Sequence, residues 1–349
     1  MKALIKKQKG VGNMEIGFID DPTCKENQVK IEVAYTGICG TDLHIFHDTF
    51  KNYPPVILGH ECSGVVVGVG KNIKELSLGD RVTVLGSTQK TCGTCIHCKT
   101  GHYMFCKSRR GMGHGVNGSF TKYLCIEEEV VYKLPNYVSL KEGALAEPLA
   151  CAVQAIEELT DIKSGDVVLL SGPGPIGLIC LSLLVMKGCR VLVSGTNVDA
   201  KRLEIAKELG ADRIINVQTE SLEYVISEET NHAGVDVTID CSGSPIAINS
   251  CFEFVKSRGK HIQVGIVGNE FVFNYDIILY KQLQVYGSLA HSFSTWDRVM
   301  KIYKQNKINL RPIITHIMEL QEWEQAFQLC EEKQCGKVLI KYDENSNWE

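Results

Sequence analysis

Residues 167–188 read VVLLSGPGPIGLICLSLLVMKG, and the fold is decided here. VVLLSG is a short apolar run suited to a buried strand, and PIGLICLSLLVMKG is long and apolar enough for a buried helix. Between them Gly172, Gly174 and Gly177 stand in the spacing GxGxxG, with Pro175 and Ile176 leading into the helix. Out of context the spacing is weak. Between a strand and a helix it fits a dinucleotide: the first glycine permits a tight turn, and the second lets backbone approach a pyrophosphate. The third lets helix pack on strand, and the helix N-terminus faces the phosphates. The plainer reading is a Gly/Pro-rich turn with no ligand, and the flanking elements argue against it.

Further strand-like runs follow at RVLVSG, VDVTID, HIQVGIVG and QVYGS, with helical or loop segments between them. That alternation predicts a parallel sheet covered by helices on both faces, a doubly wound α/β domain over 150–289. The dinucleotide fingerprint also asks for an Asp or Glu about twenty residues on, to bind the ribose 2′-hydroxyl. Ser194, Gly195, Thr196 and Asn197 stand there instead, the first acid is delayed to Asp199, and Lys201 and Arg202 come close behind. Small residues near two cations tolerate a 2′-phosphate, so NADP is expected, alone or beside NAD, with Gly195, Thr196 and Arg202 near its adenosine end. Turnover with NAD better by about a hundredfold, close to 3 kcal/mol, would refute this.

The first third differs in kind. QVKIEVAY (28–35) alternates with period two, VILGHECSGVVVGVG (56–70) is β-branched and Gly-interrupted, and LSLGDRVTVL (76–85) places a Gly-Asp turn before another strand. An irregular β-rich domain is expected over 1–149. A helical stretch, LACAVQAIEEL, follows from 149. After about residue 290 come helical patterns at TWDRVMKIYKQ and EWEQAFQLCEE and a closing strand, KVLIKY; the final DENSNWE is polar and expected to be loose. At 349 residues the chain exceeds one hydrophobic core, which favours two domains.

Fifteen cysteines and no secretory leader point to reduced thiols and metal ligands in the cytoplasm, not to a disulfide framework. Four of them, Cys92, Cys95, Cys98 and Cys106, lie in CGTCIHCKTGHYMFC, a lobe of about 90–108. Four thiolates close a tetrahedral shell and leave no place for substrate, which makes this a structural zinc site. An iron–sulfur centre uses the same donors. His97 and His102 are read as bystanders. A nucleic-acid-binding ribbon is disfavoured, since only Lys99 is positive between the cysteines and the whole chain carries a formal charge of −4. No apolar run is long enough to cross a bilayer.

A second donor set lies in CGTDLHIFHDTFKNYPPVILGHE (39–61): Cys39, His44, His47, His60 and Glu61. Cys39, His60 and one carboxylate would make three protein ligands and leave a fourth position open, as a catalytic zinc requires. Alone, each is as readily a small core cysteine or a hydrogen-bonded core histidine. His47 and Cys62 are read as structural.

Taken in order, a Cys-Gly-Thr-Asp-x-x-His segment, a Gly-His-Glu, the four-cysteine lobe, a Glu-Pro and the GxGxxG resemble the zinc-dependent medium-chain dehydrogenases over essentially the whole chain. EPLACAVQA places Glu147 where liver-type alcohol dehydrogenases carry a third catalytic cysteine, so the chain looks most like the polyol branch, which includes sorbitol, threonine and arabitol-phosphate dehydrogenases. The resemblance implies a GroES-like β-rich catalytic domain (1–149 and 290–349) and a Rossmann domain (150–289), with the active site between them. It implies two Zn2+ per chain. One is catalytic, on Cys39, His60 and either Glu61 or Glu147; the other is structural, on the four-cysteine lobe. Asp42 matches the acid that orients the ligand histidine, and Thr41 and His44 match a proton relay. The chain departs from sorbitol dehydrogenases in GSLAHSFSTW, where His291 stands and the Arg-aromatic pair that grips the polyol is missing.

These residues suit removal of a hydride from a secondary hydroxyl of a polyol, sugar alcohol or sugar-alcohol phosphate. Threonine or butanediol oxidation would use the same donors. A rival of another class is a nicotinamide-binding redox sensor without catalysis, which would not need an open metal position. The expected partner is a small polyol-type substrate, with neither nucleic acid nor membrane, in a homodimer or homotetramer.

Overall fold

The structure is a computed structural model and describes residues 1–342; the polar tail expected to be loose lies outside the described residues. The N-terminal part contains β1 (Lys2–Lys6), β2 (Met14–Phe18), β3 (Gln28–Gly37), α1 (Gly40–Phe46), β4 (Val56–Ile57), β5 (Glu61–Val69) and β6 (Arg81–Val84). The cysteine lobe carries a short helix, α2 (Ile96–Lys99), and a 3-10 turn over Tyr103–Phe105, and is followed by β7 (Tyr123–Glu127), β8 (Val131–Lys133), α3 (Leu140–Gly143) and α4 (Ala146–Val153).

Alternating elements then build the cofactor half: β9 (Val167–Ser171), α5 (Pro175–Met186), β10 (Arg190–Gly195), α6 (Ala200–Glu208), β11 (Arg213–Asn216), α7 (Leu222–Thr230), β12 (Val235–Asp240), α8 (Pro245–Phe254), β13 (Val255–Gln263), α9 (Asp276–Lys281) and β14 (Gln284–Gly287). The chain closes with α10 (Phe293–Gln305), β15 (Ile314–Glu319), α11 (Trp323–Glu331) and β16 (Lys337–Lys341).

The cofactor half is one parallel sheet in the order β11-β10-β9-β12-β13-β14. Its order reverses between β9 and β12, and in doubly wound sheets the ligand crevice opens beyond the carboxyl ends of such a strand pair. Gly172 follows the end of β9, so the glycine loop sits at that crevice. Val168 pairs with Val191 on one side and Val237 on the other, all buried. Helix α5 is apolar all round because it is covered all round, with Leu178 to Leu184 buried.

In the β-rich half, a sheet runs β15-β16-β3-β5-β6-β8, with β7 also paired to β3. The last strand therefore belongs to the first domain's sheet: Leu339 and Ile340 of β16 pair with Gly37 and Thr36 of β3. This return carries Lys337 beside the Gly-His-Glu segment. A separate three-stranded sheet, β2-β1-β4, closes the other side.

Local structure refines the sequence expectations. The run 56–70 is two strands, not one. Gly59 breaks it with φ +87°, in the left-handed region, and its N–H turns to Asp42 Oδ1 at 3.4 Å. The helix expected from 149 begins at Ala146, so Glu147 lies in its first turn and Pro148 stands where an N–H has no helical partner. That helix widens into a π-turn over Gln154–Glu158, and HIQVGIVG leaves the sheet after Gln263. β1, β2, β7, β8, β11 and β15 are too short or too mixed to stand out by alternation.

Candidate active site and metal centres

The four-cysteine lobe is the simpler centre. The Sγ atoms of Cys92, Cys95, Cys98 and Cys106 lie within 4.8 Å of one another, with pairs at 3.5 Å (95–98), 3.7 Å (92–106) and 3.9 Å (92–98). Four sulfurs about 2.3 Å from a common tetrahedral centre would be about 3.8 Å apart, so the spacing fits zinc. Backbone N–H groups of Thr94 and Cys95 pull the Cys92 thiol down to about 5, favouring the thiolate that a metal needs. No oxygen or imidazole belongs to the group, and all four corners are filled.

The second centre is assembled from distant segments. Cys39 caps the N-terminus of α1, and donor atoms of Cys39, His60 and Glu61 lie within 4.8 Å of one another. Asp42, wholly buried, ties the two loops together: Oδ2 accepts the Cys39 N–H at 2.9 Å and Oδ1 the Gly59 N–H. His60 Nδ1 lies 3.8 Å from Asp42 Oδ1 and is buried without a hydrogen-bond partner. Burial opposes charge on this ring. The interactions with Cys39 and Asp42 outweigh it and hold its pKa well above the ordinary value. Cys39, His60 and Glu61 bring a sulfur, an imidazole and a carboxylate together, and burial raises the pKa of Asp42 beside them. Sulfur, imidazole and carboxylate are donors that zinc accepts.

The two carboxylates are held differently. Lys337 Nζ bonds both oxygens of Glu61, at 2.9 and 2.7 Å, and also the Ile38 carbonyl at 3.0 Å. Lysine and glutamate are each at most 2% exposed, and although burial opposes charge on Lys337, Glu61 and Cys39 hold its pKa well above the ordinary range. Glu147 Oε1 instead accepts from His291 Nε2 at 2.9 Å, and among the described residues no hydrogen bond reaches Oε2. Burial pushes the Glu147 pKa up; the His291 hydrogen bond and the charges of His60 and Lys337 outweigh it and hold it below the ordinary range.

His291 is itself fixed. Trp296 Nε1–H donates to His291 Nδ1 at 2.9 Å, which leaves the ring proton on Nε2, aimed at Glu147. Cys151 lies within 4.8 Å of this pair, but burial, then Glu147, keeps its thiol protonated. With both His291 nitrogens engaged, this trio supports the Glu147 carboxylate and offers no third metal centre. Thr41 and His44 both lie on α1, the first half-buried and the second exposed. His44 Nδ1 bonds Thr49 Oγ1 at 3.0 Å, and no hydrogen bond joins His44 to Thr41 among the described residues. His47 pairs with Glu331 at the surface.

The glycine loop has the three properties the motif needs. Gly172 has φ +92°, a Cβ on Gly174 would meet nothing within 4 Å, and a Cβ on Gly177 would stand 2.1 Å from the Gly172 carbonyl. Pro175 and Ile176 begin α5. Beyond β10, Asp199 Oδ2 accepts from the backbone and hydroxyl of Thr196, at 3.1 and 2.9 Å, so this acid is spent on a local cap. Asn197 meets Asn216 and Gln218, which leaves a neutral amide rim after Gly195. Arg202 departs from expectation: it is buried, its Nε donates to the Cys335 carbonyl at 2.6 Å, and its Nη1 is 3.7 Å from Asp199. Its guanidinium braces the C-terminal segment and does not stand open for a 2′-phosphate.

Residues 25–136 match the alcohol dehydrogenase GroES-like domain, and residues 175–305 match the zinc-binding dehydrogenase domain. The chain is 37% identical to the D-arabitol-phosphate dehydrogenase of Enterococcus avium, over 98% of this chain and 97% of that one. It is 36% identical to the sorbitol dehydrogenase of Halalkalibacterium halodurans, over 97% and 99%. This chain belongs to the zinc-dependent medium-chain dehydrogenases. As a member it is a zinc-dependent alcohol dehydrogenase with NAD or NADP as hydride carrier, and the GroES-like plus Rossmann architecture is the one expected. A zinc-binding dehydrogenase from Sinorhizobium meliloti bound to NADP superposes with TM-score 0.88 at 27% identity, covering 97% of this chain and 98% of that one. Sequence reading missed Lys337 and Trp296, and a signal existed for the first. The available signal was a lysine opening an otherwise apolar closing strand, KVLIKY.

Proposed function

We propose that this dehydrogenase reversibly oxidises a secondary hydroxyl of a polyol, sugar alcohol or sugar-alcohol phosphate to the ketone. The observation that carries it is the grouping of Cys39, His60 and Glu61 donor atoms within 4.8 Å of one another, with buried Glu147 near enough for its charge to act on His60. Cys39 and His60 would hold the catalytic zinc; Glu61 is the carboxylate grouped with them, but Lys337 bonds both its oxygens, so Glu147 would be the carboxylate with an oxygen to offer. Bound zinc supplies Lewis acidity, which lowers the pKa of an alcohol. Thr41 and His44 pass the released proton outward. Gly172 to Gly177, Gly195 and Thr196 cradle the dinucleotide so that its nicotinamide meets the substrate carbon. Cys92, Cys95, Cys98 and Cys106 hold the structural zinc.

The neutral rim at Asn197 supports use of NADP beside NAD. Membership of the β16 strand in the first sheet supports domains of 1–149 with 290–349, and of 150–289. Edge strand β14 exposes Val285, near exposed Tyr275, Leu279 and Tyr280 on and beside α9, which supports a homo-oligomer through that edge. Scattering that gives the mass of a single 38.7 kDa chain would exclude it. Fifteen free cysteines support a reducing, cytoplasmic setting. No helix of the described residues is long and apolar enough to cross a membrane.

The deciding assay follows nicotinamide absorbance on a panel of sugar alcohols, their phosphates, threonine and butanediol with both cofactors. Turnover on polyols is the expected result, and turnover confined to threonine or butanediol would overturn it. With zinc bound and no turnover on any member, the redox-sensor reading would replace it.

A further inference from the structure

Beside the metal pocket lies a group of cations with no matching acids. Arg109 follows the cysteine lobe and is partly buried, and its Nη1 donates to the Ser87 carbonyl at 2.9 Å. Ser87 in turn reaches the catalytic pocket: its hydroxyl is 3.4 Å from His291 Nδ1, and His291 holds Glu147. Burial lowers the Arg109 pKa, and no acid opposes it. Among the described residues no carboxylate lies within 4.0 Å of Arg109, Arg110 or Lys51. A guanidinium has five N–H donors, and only one of these has a recorded partner.

The neighbours add charge. Arg110 lies over Tyr53, its Cζ 3.9 Å from the ring centroid, and its Nη1 donates to the Arg109 carbonyl at 3.1 Å. Lys51 Nζ lies 5.6 Å from the same ring. The Tyr53 N–H bonds the His114 carbonyl at 2.9 Å, which fastens this segment to the one that follows the arginines. The His114 ring feels His60, Arg109 and Arg110, and burial followed by these cations holds its pKa near 3. It stays neutral and leaves the three cations alone.

Charges taken out of water are normally paired, because desolvation is costly. The missing anion is therefore a ligand, and it sits one residue from the reacting pocket. A phosphate monoester carries about −1.5 to −2 at neutral pH and offers three acceptor oxygens, which suits the open donors of the Arg109 guanidinium, with Arg110 and Lys51 adding charge around neighbouring Tyr53. A carboxylate supplies half that charge. We propose that Arg109, with Arg110 and Lys51, binds the phosphate of a phosphorylated polyol, so the substrate is a sugar-alcohol phosphate. This rests on the dehydrogenase reading above and narrows its substrate class.

The test compares kcat/KM for matched pairs of pentitol or hexitol phosphates and their unphosphorylated parents. The phosphate member should be favoured by about a hundredfold, and Arg109→Met should reduce that ratio by about thirtyfold, the scale of one or two charge-assisted hydrogen bonds. Arg109→Lys, which keeps charge without the fork, should fall between them. Zinc content and melting temperature check that the variants fold. An unchanged ratio in Arg109→Met overturns the proposal. So does a rise in KM confined to NAD or NADP, since the arginine would then serve the cofactor's phosphates, and so does preference for a polyol carboxylate. Binding of inorganic phosphate to the zinc-loaded protein, measured by calorimetry, separates this from failure of the function itself. Were no pair turned over, the polyol reading would fall. Phosphate binding lost in Arg109→Met would still uphold the anion site, and absence of binding in the unaltered protein would end it.

Discussion

The two metal centres are built on opposite plans. The lobe takes all four donors from fifteen consecutive residues, Cys92 to Cys106, and would surround an ion with sulfur. The proposed catalytic centre would take Cys39 from the start of α1, His60 from a broken strand, Glu147 from the first turn of α4 and the lysine that restrains Glu61 from the last strand. A closed shell needs only a short loop to hold it, because its ligands constrain one another. An open position survives only if something other than the metal keeps the ligands in place. Here Asp42, Lys337, His291 and Trp296 do so through hydrogen bonds, those of the last three buried.

The largest effect should follow loss of a ligand at the open centre. Cys39→Ser or His60→Ala should lower turnover by about a thousandfold or more and remove about one zinc per chain, with the fold kept, since the hydride step depends on that ion. Metal analysis beside steady-state kinetics checks it, and full activity in either variant would end the assignment. The closed centre should respond in the contrary manner. Cys98→Ser should also release about one zinc, but the loss should appear first as proteolytic cleavage within 90–108, with activity falling less steeply. Structural zinc contributes folding free energy directly. If Cys98→Ser silenced the enzyme as completely as Cys39→Ser while the lobe resisted protease, the division of labour would be wrong.

The same contrast explains what could be read without coordinates. The lobe is local, so its spacing carries its whole geometry. The glycine loop is also local, and Gly172, Gly174 and Gly177 each have the conformation or clearance their positions imply. At the open centre the donor types were legible, but Glu61 and Glu147 were equivalent on paper. The choice between them depends on Lys337, 276 residues from Glu61, and on the pairing of β16 with β3. Arg202 misled for a related reason: charge and nearness to the motif suggested phosphate binding, and only packing shows its guanidinium turned to the Cys335 carbonyl. Long-range pairing leaves almost no trace in local residue types.

Lys337 also separates the centres energetically. Replacing it with Met would leave the Glu61 carboxylate buried and unpaired, which costs about 3–5 kcal/mol. Denaturant unfolding should show that loss, and Lys337→Met with Glu61→Gln should recover at least half of it, because the double variant removes the stranded charge as well as its partner. No single surface lysine should approach this size; exposed pairs are worth at most about 1 kcal/mol. A loss below about 1 kcal/mol in the single variant would mean that water or another cation reaches Glu61, and the reason for favouring Glu147 at the zinc would disappear.

The finest distinction concerns His291, which bonds Glu147, is constrained by Trp296 and lies 3.4 Å from the Ser87 hydroxyl. His291→Leu removes the donor, frees the carboxylate to rotate and should cost about 10–100-fold in kcat/KM or zinc affinity, the usual price for partners of metal ligands. His291→Gln can place an amide N–H near the position of Nε2 and should stay within about threefold. Trp296→Phe should fall between them, because His291 could then carry its proton on Nδ1 and present a lone pair to a carboxylate. Replacing zinc by cobalt gives a visible spectrum that reports the ligand field without turnover, and the spectrum should shift in the Leu variant and return in the Gln variant. Were both variants equally impaired with spectra unchanged, His291 would be packing alone, and the uncommitted oxygen of Glu147 would lose the restraint that makes it a metal-facing carboxylate.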